Sequence, residues 1–187
     1  MKLYKSAPLP FVGQKRMFAT HYIKVLEQYP DSATFVDLFG GSGLLSHITK
    51  HTKPGARVIY NDFDNYRQRI ANIPKTNALL SDLRTMVGDS VPRYKPIRGE
   101  LRERILERIA SEERHQGYVD YITLSSSLLF SMKYKNDLEG MRKETLWNVI
   151  RKTNYPSCDD YLQGLEIVSK DYRVLYDEFK DDPSVVF

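Results

Sequence analysis

The sequence predicts an α/β protein, a doubly wound parallel sheet interrupted by a mostly helical insertion. Three observations carry this. Short β-branched and aromatic runs, "TFVDLF" (34–39) and "ARVIYND" (56–62), each precede a stretch of helical character. A glycine turn, Phe39-Gly40-Gly41-Ser42-Gly43, joins the first run to the helix after it. At residue 88 the composition shifts to a loop rich in proline and basic residues.

The elements follow in order. Residues 1–15 form an extended lead-in containing "KSAPLPFVGQK". From Arg16 to Tyr29, Phe18, Tyr22, Val25, Leu26 and Tyr29 recur at helical spacing, and Pro30 ends the segment. The first buried strand is 34–39, and "LLSHITKHTK" is a helix stopped by Pro54-Gly55. The second strand ends at Asp62, and 65–87 is helical with a break at Pro74. Within the insertion, "ELRERILERIASEERHQ" is a charged helix and "YVDYITLSSSLLFSM" a helix or a strand. Beyond it, "DDYLQG" reads as a short helix, "LEIVSKDY" as a third strand and "RVLYDEF" as a helix, and "DPSVVF" opens a fourth strand. The expected organisation is therefore 1–87, the N-terminal part of an α/β domain; 88–156, the insertion; and 157–187, the return to that domain.

Composition narrows the function classes. A chain of 187 residues suits one core with an insertion. One cysteine, Cys158, leaves no internal disulfide and points to a reducing cytoplasm. No apolar run approaches the roughly 20 residues of a membrane helix. The formal net charge of +4 and the 13 tyrosines allow contact with nucleic acid without requiring it. His47 and His51 stand at i, i+4, but no carboxylate or cysteine stands in ligand register, so they read as a solvated helix face.

The strand–glycine turn–helix unit is the chemical signal. Glycines there let a backbone approach a ligand closely, beside free amides at a helix N-terminus. Asp62 follows at about the 20-residue interval at which a carboxylate meets a ribose. The six-position dinucleotide pattern is absent, because Leu45 and Ser46 follow Gly43. The tight turn suits a nucleoside cofactor without a pyrophosphate, such as S-adenosylmethionine. Taken singly, Lys15 reads as a solvated lysine, Asp37 as a capping residue and Asp171 as a helix N-cap.

"PLPFVGQKR" (8–16), "FVDLFGGSG" (35–43) and "YNDFD" (60–64) together resemble the N-terminal motifs of Dam-like adenine-specific DNA methyltransferases. The resemblance implies a Rossmann-like methyltransferase fold binding S-adenosylmethionine, and double-stranded DNA as the partner. It implies that Phe11, Gly13 and Lys15 line the methionine end of the cofactor. Asp37, Phe39, Gly40, Gly41, Ser42 and Gly43 would form the turn beneath it, with Asp62 on the ribose and Asp171 near the adenine. It also implies a target-recognition role for the insertion. There Arg93, Lys95, Arg98, Arg102, Lys133 and Lys135, with Tyr94 and Tyr134 interleaved, are candidate phosphate contacts. The alternating charge of the helix beside them also fits plain solvation.

In that family, methyl transfer to the adenine amine uses an Asp/Asn-Pro-Pro-Tyr/Phe tetrapeptide at the end of the fourth strand. "NYPS" (154–157) and "DPSV" (182–185) do not match it, so no catalytic residue is assigned. The expectation is an adenine methyltransferase fragment, incomplete at its C-terminus and inactive in methyl transfer alone. It further holds that "TFVDLF" has an unpaired edge and self-associates through it. A non-catalytic cofactor- or DNA-binding protein, completed by a second polypeptide, is the alternative. A Rossmann-type oxidoreductase fits the glycine pattern and "PFVGQKR" less well.

Overall fold

The structure is a computed structural model and describes residues 2–13, 15–130 and 133–187. Gln14 of the lead-in and Ser131 and Met132 of the apolar stretch lie outside the described residues. The strands, in chain order, are β1 (Thr34–Asp37), β2 (Arg57–Asn61), β3 (Pro96–Ile97), β4 (Leu146–Trp147), β5 (Glu166–Val168) and β6 (Ser184–Val186). The helices are α1 (Ala19–Leu26), entered from a 3-10 turn at Arg16–Phe18, α2 (Leu44–Thr52), α3 (Tyr66–Ala71), α4 (Ile73–Val87), α5 (Gly99–Gln116), α6 (Tyr121–Leu128), α7 (Leu138–Arg142) and α8 (Tyr172–Phe179). The chain divides into two units, Met1–Ala71 with Cys158–Phe187, and Asn72–Ser157.

The first unit is built on a parallel sheet of order β5-β2-β1-β6. Alternation along the strands gives each face its own cluster. Phe35 and Val58 pack with Ala19, Leu26, Leu44 and Ile48 from α1 and α2. Val36 and Ile59 pack with Leu175 of α8. Both faces of the sheet are thus covered by helices, as a parallel sheet requires. That matches the α/β, parallel-sheet expectation.

Four expectations need correction. The edge of β1 is not open: β6 pairs with it as Thr34↔Ser184, Phe35↔Val185 and Val36↔Val186. The pairing continues as Leu38 N–H donates to the Phe187 carbonyl and Phe187 N–H to that of Val36, each at 3.0 Å. Three residues suffice because Val185 and Phe187 also pack against the α1–α2 cluster, Phe187 with its ring 5.6 Å from that of Tyr22. The helical break falls at Asn72, and Pro74 lies in the first turn of α4, where a missing N–H costs no helical bond. "DDYLQG" is a run of turns, because Gly164 at φ +77° ends it and Tyr161 is drawn into the core.

The fourth correction is His47, which is fully buried rather than solvated. Its Nε2 accepts from the Tyr4 N–H at 3.0 Å, and its Nδ1 lies 2.7 Å from the Tyr161 carbonyl, a donor's position. The neutral ring protonated at Nδ1 satisfies both contacts. The ring stacks on Tyr161 at 4.9 Å and meets Tyr4 edge-on. One residue thereby ties the N-terminal lead-in and the 159–164 turns to α2.

In the second unit β3 and β4 form an antiparallel ribbon. The apolar stretch left open between helix and strand is α6, started by Asp120, whose carboxylate accepts from the Thr123 N–H and hydroxyl. Arg108 of α5 pairs with Asp82 of α4 and with Glu112. Among the described residues, no helix is long and apolar enough to cross a membrane.

Burial holds the His47 ring below its usual pKa. The unfolded chain therefore takes up the proton first, and the stability from neutral His47 is present above about pH 6.5 and lost as pH falls below it. His47→Gln is expected to flatten the change in thermal midpoint between pH 7.5 and 5.5; an unchanged slope would move that dependence to another group.

Candidate active site

The site starts with how the lead-in is held. Leu9 is buried; its N–H donates to the Tyr66 hydroxyl at 3.0 Å, and that hydroxyl lies 3.2 Å from the Leu9 carbonyl. Arg69, one turn along α3, donates to the Pro10 carbonyl at 2.7 Å. These bonds seat the Phe11 ring edge-on against Tyr66, at 5.8 Å. The segment after Leu9 is thereby laid across the C-terminal end of β1.

The turn after β1 is shaped by Tyr60 of β2, the register partner of Asp37. A side chain at Gly40 would run into the Tyr60 ring and stand 2.7 Å from the Asn61 carbonyl, so only glycine fits. The Tyr60 hydroxyl lies 2.8 Å from the Gly41 carbonyl and 3.0 Å from Asp62 Oδ1. Gly43, at φ +70°, turns the chain into α2.

Phe11, Gly13, Lys15, Asp37, Phe39, Gly40, Gly41 and Ser42 line one cavity of about 260 Å³, with Asp64 at its wall. Eight residues singled out from two separate stretches of the sequence meet there. A second cavity of about 410 Å³ shares Phe39, Gly40, Gly41 and Asp64 and adds Asn61, Phe63, Lys170, Asp171 and Tyr172. Phe39 and Phe63 are exposed, and Phe39 lies 5.0 Å from the Tyr172 ring. Asn61 joins the strand ends beneath, its amide donating to the Leu38 and Lys170 carbonyls and accepting from the Lys170 N–H.

Two of the predicted residues line neither cavity. Gly43 faces Leu162 and Tyr60. The buried Asp62 carboxylate accepts from the Tyr66 N–H at 2.6 Å and the Arg67 N–H at 3.0 Å, starting α3. Asp64, two residues on and exposed, faces both cavities instead. Asp171 lines the second cavity and also caps α8; Arg173 grips its carboxylate and holds it low, at about 2. Sequence reading missed Asp64, Phe63 and Tyr172. The second aspartate of "YNDFD" was the available signal for Asp64, once Asp62 is placed at a helix start.

Asp37 carries the site's electrostatics. Its buried carboxylate accepts from the Ser46 hydroxyl at 2.5 Å. Burial pushes it up to about 6, against the opposing pull of Ser46, Lys15 and the Phe39 amide. The ionised and neutral forms therefore lie close in free energy near pH 6.

Of the candidate phosphate contacts in the second unit, four have partners within the chain. Arg93 donates to the Ile150 carbonyl at 2.7 Å, and Arg102 to that of Arg142 at 2.5 Å. Lys133 and Lys135 both pair with Glu144 at 2.9 Å. Lys95 and Arg98 are exposed, and their side chains make no ion pair among the described residues.

The raised pKa of Asp37 sets the sign of its effect on stability. Its contribution is present below about pH 4 and lost as pH rises through about 6. Asp37→Asn is therefore expected to exceed the parent in stability at pH 8, by about 2 kcal/mol, with a smaller gain at pH 5. Urea unfolding at both pH values checks this; a loss of stability at pH 8 contradicts it.

Residues 11–184 match the family described as D12 class N6 adenine-specific DNA methyltransferase. A protein of Haemophilus influenzae named "Putative methyltransferase" is 38% identical over 189 residues, covering 99% of this chain and 63% of its own length. The chain thus spans less than two thirds of that relative. No solved structure matches it. The family match runs from the cavity-lining Phe11 through the glycine turn to β6, and on that ground the chain belongs to the D12 class of N6 adenine-specific DNA methyltransferases.

Proposed function

We propose that the first unit is the S-adenosylmethionine-binding part of a Rossmann-like DNA adenine methyltransferase, and that the second unit meets its DNA. The convergence of Phe11, Gly13 and Lys15 with Asp37, the 39–42 turn and Asp64 on one cavity supports this most directly. When bound, S-adenosylmethionine supplies an electrophilic methyl group on a sulfonium.

The residues fit that group. Its methionine end carries an ammonium and a carboxylate, and the first cavity offers Asp37 and Lys15 to match them. Its adenine is flat and aromatic, and the second cavity offers Phe39, Phe63 and Tyr172. Asp64, shared by both cavities, is the acid best placed for ribose hydroxyls. Asp62 acts behind it by fixing the start of α3, a positioning role.

The chain contains no Asp/Asn-Pro-Pro-Tyr/Phe tetrapeptide. These residues accordingly bind cofactor and DNA, and none of them is assigned to accept the amine's protons. Transfer to adenine is a proposal for the whole protein. Of the six candidate phosphate contacts, Lys95 and Arg98 are the exposed ones without an ion pair among the described residues.

Calorimetric titration of S-adenosylmethionine tests the cofactor reading. The parent chain is expected to bind, and Asp64→Asn to weaken binding about ten-fold, the scale of a hydrogen bond to a charged group. Asp62→Asn should lower the unfolding midpoint more than it lowers affinity at the folded site. Equal affinity for Asp64→Asn and the parent would remove Asp64 from the site.

A further inference from the structure

We propose that Tyr94 is a pre-set stacking platform for an unpaired nucleobase, with Lys95 beside it to take a phosphate of the same strand. This rests on the reading that the second unit meets DNA, and adds to it the residue that grips a base out of its stack. The first observation is conformational. Tyr94 has φ +61°, and among the described residues the other non-glycine with positive φ is Asn65, a type that tolerates it. A bulky residue here is strained, whereas glycine or asparagine would make the same turn at less cost.

Packing does not offset that strain, since Tyr94 is 61% exposed. The backbone around it is nevertheless tightly held. Tyr94 N–H donates to the Asn148 carbonyl at 2.9 Å, and Asn148 N–H to the Lys95 carbonyl at 2.9 Å. The Asn148 side chain donates to the Val91 carbonyl at 2.7 Å. A strained turn fixed by a nearly buried asparagine thus presents an aromatic ring to solvent.

The surroundings select the partner. The Arg93 guanidinium is tethered to the Ile150 carbonyl and stands 5.2 Å from the centre of the Tyr94 ring. From Arg93 to Arg98 the chain carries three cations and no carboxylate. A fixed aromatic ring in a cationic stretch suits a partner that is both polyanionic and flat-ringed, namely single-stranded or locally unpaired DNA. In a paired duplex the base faces are already stacked, and only the phosphates are available to this loop.

The test uses the full chain and three labelled DNAs: a single strand, a duplex with one bulged adenine, and the paired duplex. Tyr94→Asn removes the ring and suits the left-handed turn; Tyr94→Phe keeps the ring. By fluorescence anisotropy, Tyr94→Asn is expected to weaken binding to the single strand and the bulged duplex about ten-fold. Its affinity for the paired duplex should stay within about two-fold, Tyr94→Phe should match the parent, and the thermal midpoint of Tyr94→Asn should rise. Parent-like binding of the bulged duplex by Tyr94→Asn overturns the inference and leaves the DNA reading standing. Failure of the parent to bind any of the three DNAs overturns both.

Discussion

The site depends on the contact between Tyr60 and the turn after β1. Parallel pairing sets Asp37 opposite Tyr60, and the ring then occupies the space a side chain at Gly40 would need. Its hydroxyl reaches the Gly41 carbonyl and Asp62, so one residue of β2 fixes both the glycine turn and the start of α3. From α3, Tyr66 and Arg69 hold the lead-in that delivers Phe11. The cavity walls are thus linked in series from one buried aromatic. A larger residue at Gly40 would displace Tyr60 and disturb every wall together.

Around this frame, burial acts in opposite directions on two titrating groups. His47 is buried neutral, with both nitrogens hydrogen-bonded, and its contribution to stability grows with pH. Asp37 is buried where ionisation is unfavourable, and its contribution falls with pH. The first arrangement serves the fold by tying α2 to the lead-in and to Tyr161. The second works against it at neutral pH. The buried Asp37 carboxylate is the group on which the cofactor proposal places the cationic end.

Much of this was legible in the residues because it is local. Short β-branched and aromatic runs give the strands, and glycines after "TFVDLF" mark a close backbone approach. What escaped is long-range. Asp62 and Asp64 are chemically alike in sequence, and only the start of α3 shows that the first caps the helix while the second faces the cavity. His47 reads as a surface residue until Tyr4 and Tyr161, distant in sequence, close over it. "DDYLQG" reads as helix because nothing nearby reveals that Tyr161 turns inward, its hydroxyl donating to the Ser42 carbonyl. Basic residues misled in another way: Lys133 and Lys135 are drawn to Glu144, which lies beyond α7.

The cofactor proposal turns on Asp37 meeting the cationic end of S-adenosylmethionine. Proton release on binding tests it most directly, by titrating the cofactor at pH 5.5 in buffers of different ionisation enthalpy. At that pH Asp37 is largely protonated, and a bound ammonium must drive the proton off. Release of a substantial fraction of a proton is expected at pH 5.5, none at pH 8, and none at either pH in Asp37→Asn. Binding with no proton release at pH 5.5 would contradict it.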